Sequence, residues 1–87
     1  MKADKKDVLT RLASIEGHLG GIRKMIEDDT YCVDVLKQTY AVQRGLDRLQ
    51  ALILSGHLAS CVPERIVGDE REQVMAELVE LYELARK

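Results

Sequence analysis

From Cys32 to Cys61 the chain reads CVDVLKQTYAVQRGLDRLQALILSGHLASC. The apolar positions Val35, Val42, Leu46, Leu49 and Ile53 fall on one helical stripe, and Leu36, Tyr40, Leu54, His57 and Cys61 fall on its neighbour. The stretch therefore predicts one long helix with two seams, more apolar surface than a single partner helix can cover. Near its end, His57 and Cys61 are four apart, which sets both side chains on one face about a turn from each other. Cys32 lies 25 residues before His57. At about 1.5 Å of rise per residue that is roughly 37 Å, far beyond bonding reach along one straight rod. The three can meet only if the helix breaks or if a second copy runs antiparallel beside the first. The second route is the one taken here, and it predicts an oligomer with soft-metal sites between its protomers.

Composition narrows the class. Eighty-seven residues make one domain, small enough that a core built by one copy is marginal. With 46% hydrophobic residues but no Phe and no Trp, that core must be aliphatic, which suits packed helices. Two cysteines, no signal peptide and no long apolar run point to a reduced, cytoplasmic protein without a membrane segment. The net charge of −2 argues against nucleic acid on bulk balance, so DNA binding would need a local basic patch.

Outward from the long helix, the flanking segments also read as helices. After a polar arm, Met1 to Asp4, the stripe Val8, Leu12, Ile15, Leu19, Ile22 and Ile26 predicts a first helix over about 5–28. Gly17, Gly20 and Gly21 within it mark either a close backbone approach or a weak spot. Asp28-Asp29-Thr30 breaks it, with Thr30 the expected N-cap of the second helix and Cys32 its second position, where the helix dipole favours a thiolate. Pro63 is expected to stop the second helix, giving about 31–62. A third helix over about 69–85 follows, with Asp69 and Glu72 resembling a capping box and Val74, Leu78 and Leu81 as its apolar face. No phosphate-cradling glycine loop and no Ser/His/Asp arrangement occurs, so an enzyme with a small-molecule substrate is not expected.

Each candidate ligand also has a bland reading. A cysteine is often a small buried hydrophobe and a lone histidine often a hydrogen-bonded bystander. His18 reads as a helix-surface residue, and Met75 as core. Spacing and composition alone leave the metal site and the bland reading both open.

The blocks Arg11-Leu12, Ile15-Glu16-Gly17-His18-Leu19, Gly21-Ile22, Tyr31-Cys32-Val33-Asp34-Val35-Leu36-Lys37-Gln38, and His57-Leu58 with Cys61-Val62 resemble the copper-sensing repressor family known as CsoR, over about residues 8–84. That family also holds nickel/cobalt, formaldehyde and persulfide sensors. The resemblance implies an all-α, three-helix protomer, an antiparallel four-helix-bundle dimer, and a flat homotetramer that binds operator DNA without a helix-turn-helix. It also implies Cys32, His57 and Cys61 as Cu(I) ligands, a soft sulfur-rich set suited to a monovalent d10 ion. Zinc would ordinarily want a fourth ligand. The formaldehyde-responsive relatives carry proline after Met1, where this chain has Lys2, and the persulfide sensors lack the histidine.

The same resemblance assigns Tyr31 and Glu77 as hydrogen-bonding partners of the ligating histidine. Metal on one imidazole nitrogen leaves the other as a proton donor, for which a carboxylate is the natural acceptor. Arg11 and Arg48 match the family's DNA-binding positions, with Arg44, Lys5, Lys6 and Lys2 ranked below them as phosphate contacts. Gly20 and Glu16 depart from the family's charge pattern near that face. The expected function is thus a copper(I)-responsive repressor whose metal-free tetramer holds operator DNA and whose metal-bound form releases genes for copper efflux or buffering. Two alternatives stand beside it: a thiol-based redox, persulfide or electrophile sensor using Cys32 and Cys61, and a copper buffer that does not bind DNA.

Overall fold

The computed structural model describes residues 3–87; Lys2, one of the expected DNA contacts, lies outside them. The described residues form helices and turns with no strand: α1 (Lys5–Glu27), α2 (Cys32–Gly56), a π-helical turn (His57–Cys61), α3 (Val62–Ile66) and α4 (Arg71–Ala85). The fold is all-α. Gly56, His57, Cys61 and Val62 all keep right-handed helical dihedrals, so α2, the π turn and α3 make one continuous rod, and the protomer has three helical arms.

Asp4 starts α1 by accepting from the backbone N–H groups of Lys6 (3.0 Å) and Asp7 (3.4 Å), two of the donors a helix start leaves without partners. The other end closes in a Schellman pattern. Asp29 N–H donates to the Ile26 carbonyl (3.1 Å) and Thr30 N–H to the Met25 carbonyl (2.9 Å), with Asp29 left-handed at φ 54°. Thr30 is thereby used in ending α1 and does not cap α2, contrary to expectation. Tyr31 takes that place without a side-chain cap, and Cys32 is the first helical residue rather than the second.

Pro63 also behaves differently from expectation: the rod passes through it to Ile66. A proline inside an α-helix removes one N–H and collides with the carbonyl four residues back. Here Val62 N–H donates to the His57 carbonyl, five residues back, so the turn before the proline is widened by one residue. Pro63 then sits in the first turn of the renewed α-helix, where its missing N–H costs little. The expected Asp69–Glu72 capping box is absent as well. α4 begins one residue later, with Glu70 at the N-cap and no side-chain cap hydrogen bond.

The core lies between α1 and α2. Val8, Ile15 and Ile22 of α1 pack against Val42 and Leu49 of α2, with Ala3, Val35, Leu52 and Ile53 at the edges. Each such side chain, once buried, contributes about 1.5–3 kcal/mol. Gly45 sets the approach: a Cβ there would sit 3.5 Å from Ile15 Cγ1, ordinary contact with no room to spare. Gly56 is tighter, since a Cβ would lie 2.7 Å from the Ala3 backbone nitrogen, so the amino-terminal arm crosses the rod where the side chain is missing. Gly17, Gly20 and Gly21 meet nothing within 4 Å and serve no approach inside the described protomer.

The molecule is a plate of 55 × 29 × 14 Å. Since an α-helix with side chains is about 10–12 Å across, the plate is one helix thick and cannot cover both faces of its own helices. Leu12, Leu19, Ile26, Leu36, Tyr40, Leu46 and Leu54 are all at least 38% exposed, including much of the second α2 seam. Total accessible surface is 6968 Å². A compact monomer of this mass would expose about 5,200 Å².

Candidate metal centre and nucleic-acid face

His57 and Cys61 occupy the two ends of the π turn, both half-buried. The widening that accommodates Pro63 thus falls on the segment joining the two candidate ligands, and their relative angle about the rod is set by a five-residue hydrogen bond. Their side chains line a groove of about 790 Å³ between the end of α2 and α4, with Ile53, Leu54, Leu81 and Leu84 as its apolar walls.

Glu77 of α4 lines the same groove. Its Oε1 is shut off from solvent and has no hydrogen-bond partner, although the residue as a whole is only half-buried. A buried acceptor left without a donor costs about 1–3 kcal/mol, so such an atom marks a place where a donor belongs. Its nearest cation is Arg65 of α3, whose Nη1 lies 3.6 Å away. Arg65 is held from the other side by Glu70, which accepts from Nε at 2.5 Å. That hydrogen bond raises the guanidinium pKa above its ordinary value, burial opposes it, and the charges of Glu70 and Glu77 add to it.

Cys32 is elsewhere. It is exposed at the start of α2, and α2 runs unbroken from Cys32 to Gly56, so no kink brings it back to His57. Among the described residues no three His, Cys, Asp or Glu side chains gather as a metal cage. Tyr31, 68% exposed beside Cys32, is likewise at the far end of the rod from the groove. One chain therefore assembles His57, Cys61 and Glu77 at one end and presents Cys32 with Tyr31 at the other. The donor set fits a soft metal in chemistry, two sulfurs and one imidazole backed by an unpartnered carboxylate, and a single protomer holds only part of it.

The candidate DNA contacts lie along the hairpin. Ile15 against Gly45 and Ala3 against Gly56 fix the α1–α2 register, which brings Arg11 level with Arg48. Arg11, Arg44, Arg48, Lys5 and Lys6 are all exposed. Arg11 is engaged with Asp7 at 3.4 Å, a pairing the charge pattern alone did not single out. Sequence reasoning also missed Arg65; its spacing of five from Glu70 matches no standard helical pair, since the two span the α3–α4 turn.

Comparison with known proteins follows from this geometry. The model of the metal-sensitive transcriptional repressor family matches residues 4–84. The chain belongs to that family. It is 39% identical over 80 residues to the copper-sensing transcriptional repressor CsoR of Mycobacterium tuberculosis strain H37Rv, covering 92% of this chain and 67% of that one. Its fold matches the copper-sensing repressor CsoR with Cu(I) from Geobacillus thermodenitrificans NG80-2 at a TM-score of 0.89, with 32% identity, 100% of this chain and 94% of that chain. The nickel-responsive transcriptional regulator InrS matches at 0.76, with 34% identity over 95% of this chain and 93% of its own. Metal-sensitive repressors thus use this fold with more than one metal.

Proposed function

We propose that this chain is a copper(I)-responsive transcriptional repressor acting in the cytoplasm. Its metal-free homotetramer, a pair of antiparallel four-helix-bundle dimers, holds operator DNA. Cys32 of one copy joins His57 and Cys61 of another to hold Cu(I), and the loaded form lets the operator go, freeing genes for copper efflux or buffering. No described helix is long and apolar enough to cross a membrane.

The reading rests on one observation: half of a soft-metal donor set sits at each end of an unbroken rod, too far apart for one chain to close. An antiparallel neighbour superimposes the two ends. The uncovered seams of α1 and α2 supply the apolar surface for that pairing, and the excess exposed area over a compact monomer is of the size a stable interface buries. Copper is preferred to nickel because two thiolates and an imidazole are softer than the donors nickel favours. The bound ion would supply a fixed positive centre, with its imidazole ligand's free nitrogen presented as a proton donor. Glu77 Oε1 is the acceptor waiting in the groove, and a bond from His57 would pull α4 toward the rod, while Tyr31 from the other copy closes over the same histidine. Arg11 and Arg48, repeated four times, would supply phosphate contacts despite the acidic protomer, with Arg44, Lys5, Lys6 and Lys2 flanking them.

The test is an anaerobic titration of the reduced protein with Cu(I), then separately with Ni(II), Co(II) and Zn(II), following release of genomic fragments selected by the metal-free protein. Release at one Cu(I) per protomer, without release by the other ions, is the expected outcome. Release by a thiol oxidant but not by Cu(I), undiminished in His57→Ala, would transfer the function to redox sensing.

A further inference from the structure

We propose that Arg65 is a positioning residue that competes with His57 for Glu77, and so sets how readily the metal site takes up its ion; this rests on the copper reading above. In the metal-free chain the guanidinium bridges two carboxylates, Glu70 at 2.5 Å through Nε and Glu77 at 3.6 Å through Nη1. Arg65 belongs to α3, the rigid continuation of the ligand-bearing rod, whereas both carboxylates belong to α4 and the residue just before it. The bridge therefore ties α4 to the rod beyond Cys61. It is strained in one respect: the Glu77 oxygen nearest Arg65 is cut off from solvent yet falls outside hydrogen-bond distance of any donor. Arg65 attracts the carboxylate by charge without satisfying it.

A protonated imidazole nitrogen on His57, which lines the same groove, would satisfy that oxygen with a directional bond. To form it, Glu77 must give up the attraction of Arg65. Glu70 keeps the guanidinium neutralised when that happens, so the exchange leaves no unpaired cation. Half-exposed ion pairs are weak, so the competition is a fine adjustment and not a lock.

The experiment measures Cu(I) affinity of the reduced full-length protein against a colorimetric Cu(I) chelator, for the wild type, Arg65→Gln, Arg65→Lys, Glu77→Gln and the double variant Arg65→Gln/Glu77→Gln. Melting of each metal-free protein is followed in parallel. Arg65→Gln should tighten Cu(I) binding about two- to five-fold, a change of the size a half-exposed ion pair can cause. Arg65→Lys keeps the charge but not the two-pronged fork, and should fall between. In the Glu77→Gln background the Arg65 substitution should have no effect on Cu(I) affinity. A gain that persists without the Glu77 carboxylate would mean mere removal of a positive charge near the ion, and would overturn the proposal. So would unchanged or weaker binding in Arg65→Gln, or melting temperatures showing no coupling between positions 65 and 77 in the metal-free protein. A wild type that binds Cu(I) and releases DNA while Arg65→Gln matches it refutes this inference alone; a wild type that does not bind Cu(I) refutes the copper reading with it.

Discussion

Val62 donates its backbone N–H to the carbonyl of His57, one residue farther back than an α-helix allows. This bond decides how the imidazole of His57 and the sulfur of Cys61 stand relative to each other. Its cause is the next residue, Pro63, which cannot be placed in an unmodified α-helix without a collision. Replacing the proline should therefore act on the metal and not on the fold. Pro63→Ala restores an N–H and permits ordinary α winding, which rotates everything after the turn by about 100° relative to what precedes it. Cu(I) affinity is expected to fall by at least tenfold while helicity and melting temperature stay at or above wild type. Unchanged affinity would mean the π turn has no part in ligand placement.

The division of the donor set between rod ends has its own test. Cys32→Ala and Cys61→Ala should each abolish Cu(I)-induced DNA release while leaving metal-free DNA binding intact. Cys32 is exposed and its truncation should cost under about 0.5 kcal/mol of stability. When the two variants are unfolded together and refolded as a mixture, each hybrid pair regains one complete site, with Cys32 from one chain and His57 and Cys61 from the other. Cu(I) binding by the mixture should thus recover to about a quarter of wild type, since half of the pairs are hybrid and each carries one of two sites. No recovery would rule out a site shared between copies.

Much of this was legible beforehand because period is a strong signal. The α1 stripe marked Val8, Ile15 and Ile22, all buried, and the doubled stripe of α2 marked Leu36 and Tyr40, which one protomer leaves exposed. The H-x3-C spacing likewise brought His57 and Cys61 to one groove. What escaped was settled by competition between neighbours. Thr30 is a good N-cap by type, but its backbone was already committed to closing α1. Pro63 is a good terminator by type, but a one-residue widening upstream removed the conflict. Asp69 suits a capping box, but the helix begins after Glu70, whose carboxylate Arg65 holds. In each case a local rule was outbid by a bond to a residue four or more positions away, which residue type alone does not reveal.

Asp29 offers a check on the energetics of the α1–α2 turn. Its φ of 54° places a side chain in the left-handed region, which costs an L-residue other than glycine roughly 1 kcal/mol. Asp29→Gly removes that cost at the position where the Schellman pattern prefers glycine. Stability in urea should rise by about 0.5–1 kcal/mol, with no change in the slope of the unfolding line. A loss of stability would indicate that the Asp29 carboxylate contributes more than its backbone costs.

The uncovered faces predict the solution state. Among the described residues Leu36 and Tyr40 lie on the α2 stripe away from α1 and are 51% and 59% exposed, which a stable 9.8 kDa monomer has little reason to tolerate. The metal-free protein should sediment as a species of four protomers, with a dimer on dilution. Leu36→Glu places a charge in that seam and should shift the protein toward monomer with a loss of helicity, because burial in the partner is what holds the plate together. A wild-type protein that remains monomeric at micromolar concentration would also remove the shared metal site.

Arg11 is the last case, because its ion pair gives opposite signs to two substitutions. Asp7 holds its guanidinium at 3.4 Å, about half-exposed, so a phosphate must compete with a carboxylate for it. Arg48, exposed at the same level of the hairpin, has no such pairing among the ion pairs of the described residues. If both arginines meet DNA, Arg48→Ala should weaken operator binding and flatten its dependence on salt, each lost phosphate contact per bound protomer lowering the slope by about 0.9. Asp7→Asn should do the reverse, tightening binding by freeing Arg11 and removing a negative charge from the face. Binding measured from low to moderate salt distinguishes the outcomes, since a change that only altered folding would shift affinity without changing the slope. An unchanged slope in Arg48→Ala clears that residue of phosphate contact, and weaker binding in Asp7→Asn would show that the Asp7–Arg11 pair is used to orient the guanidinium and does not compete for it.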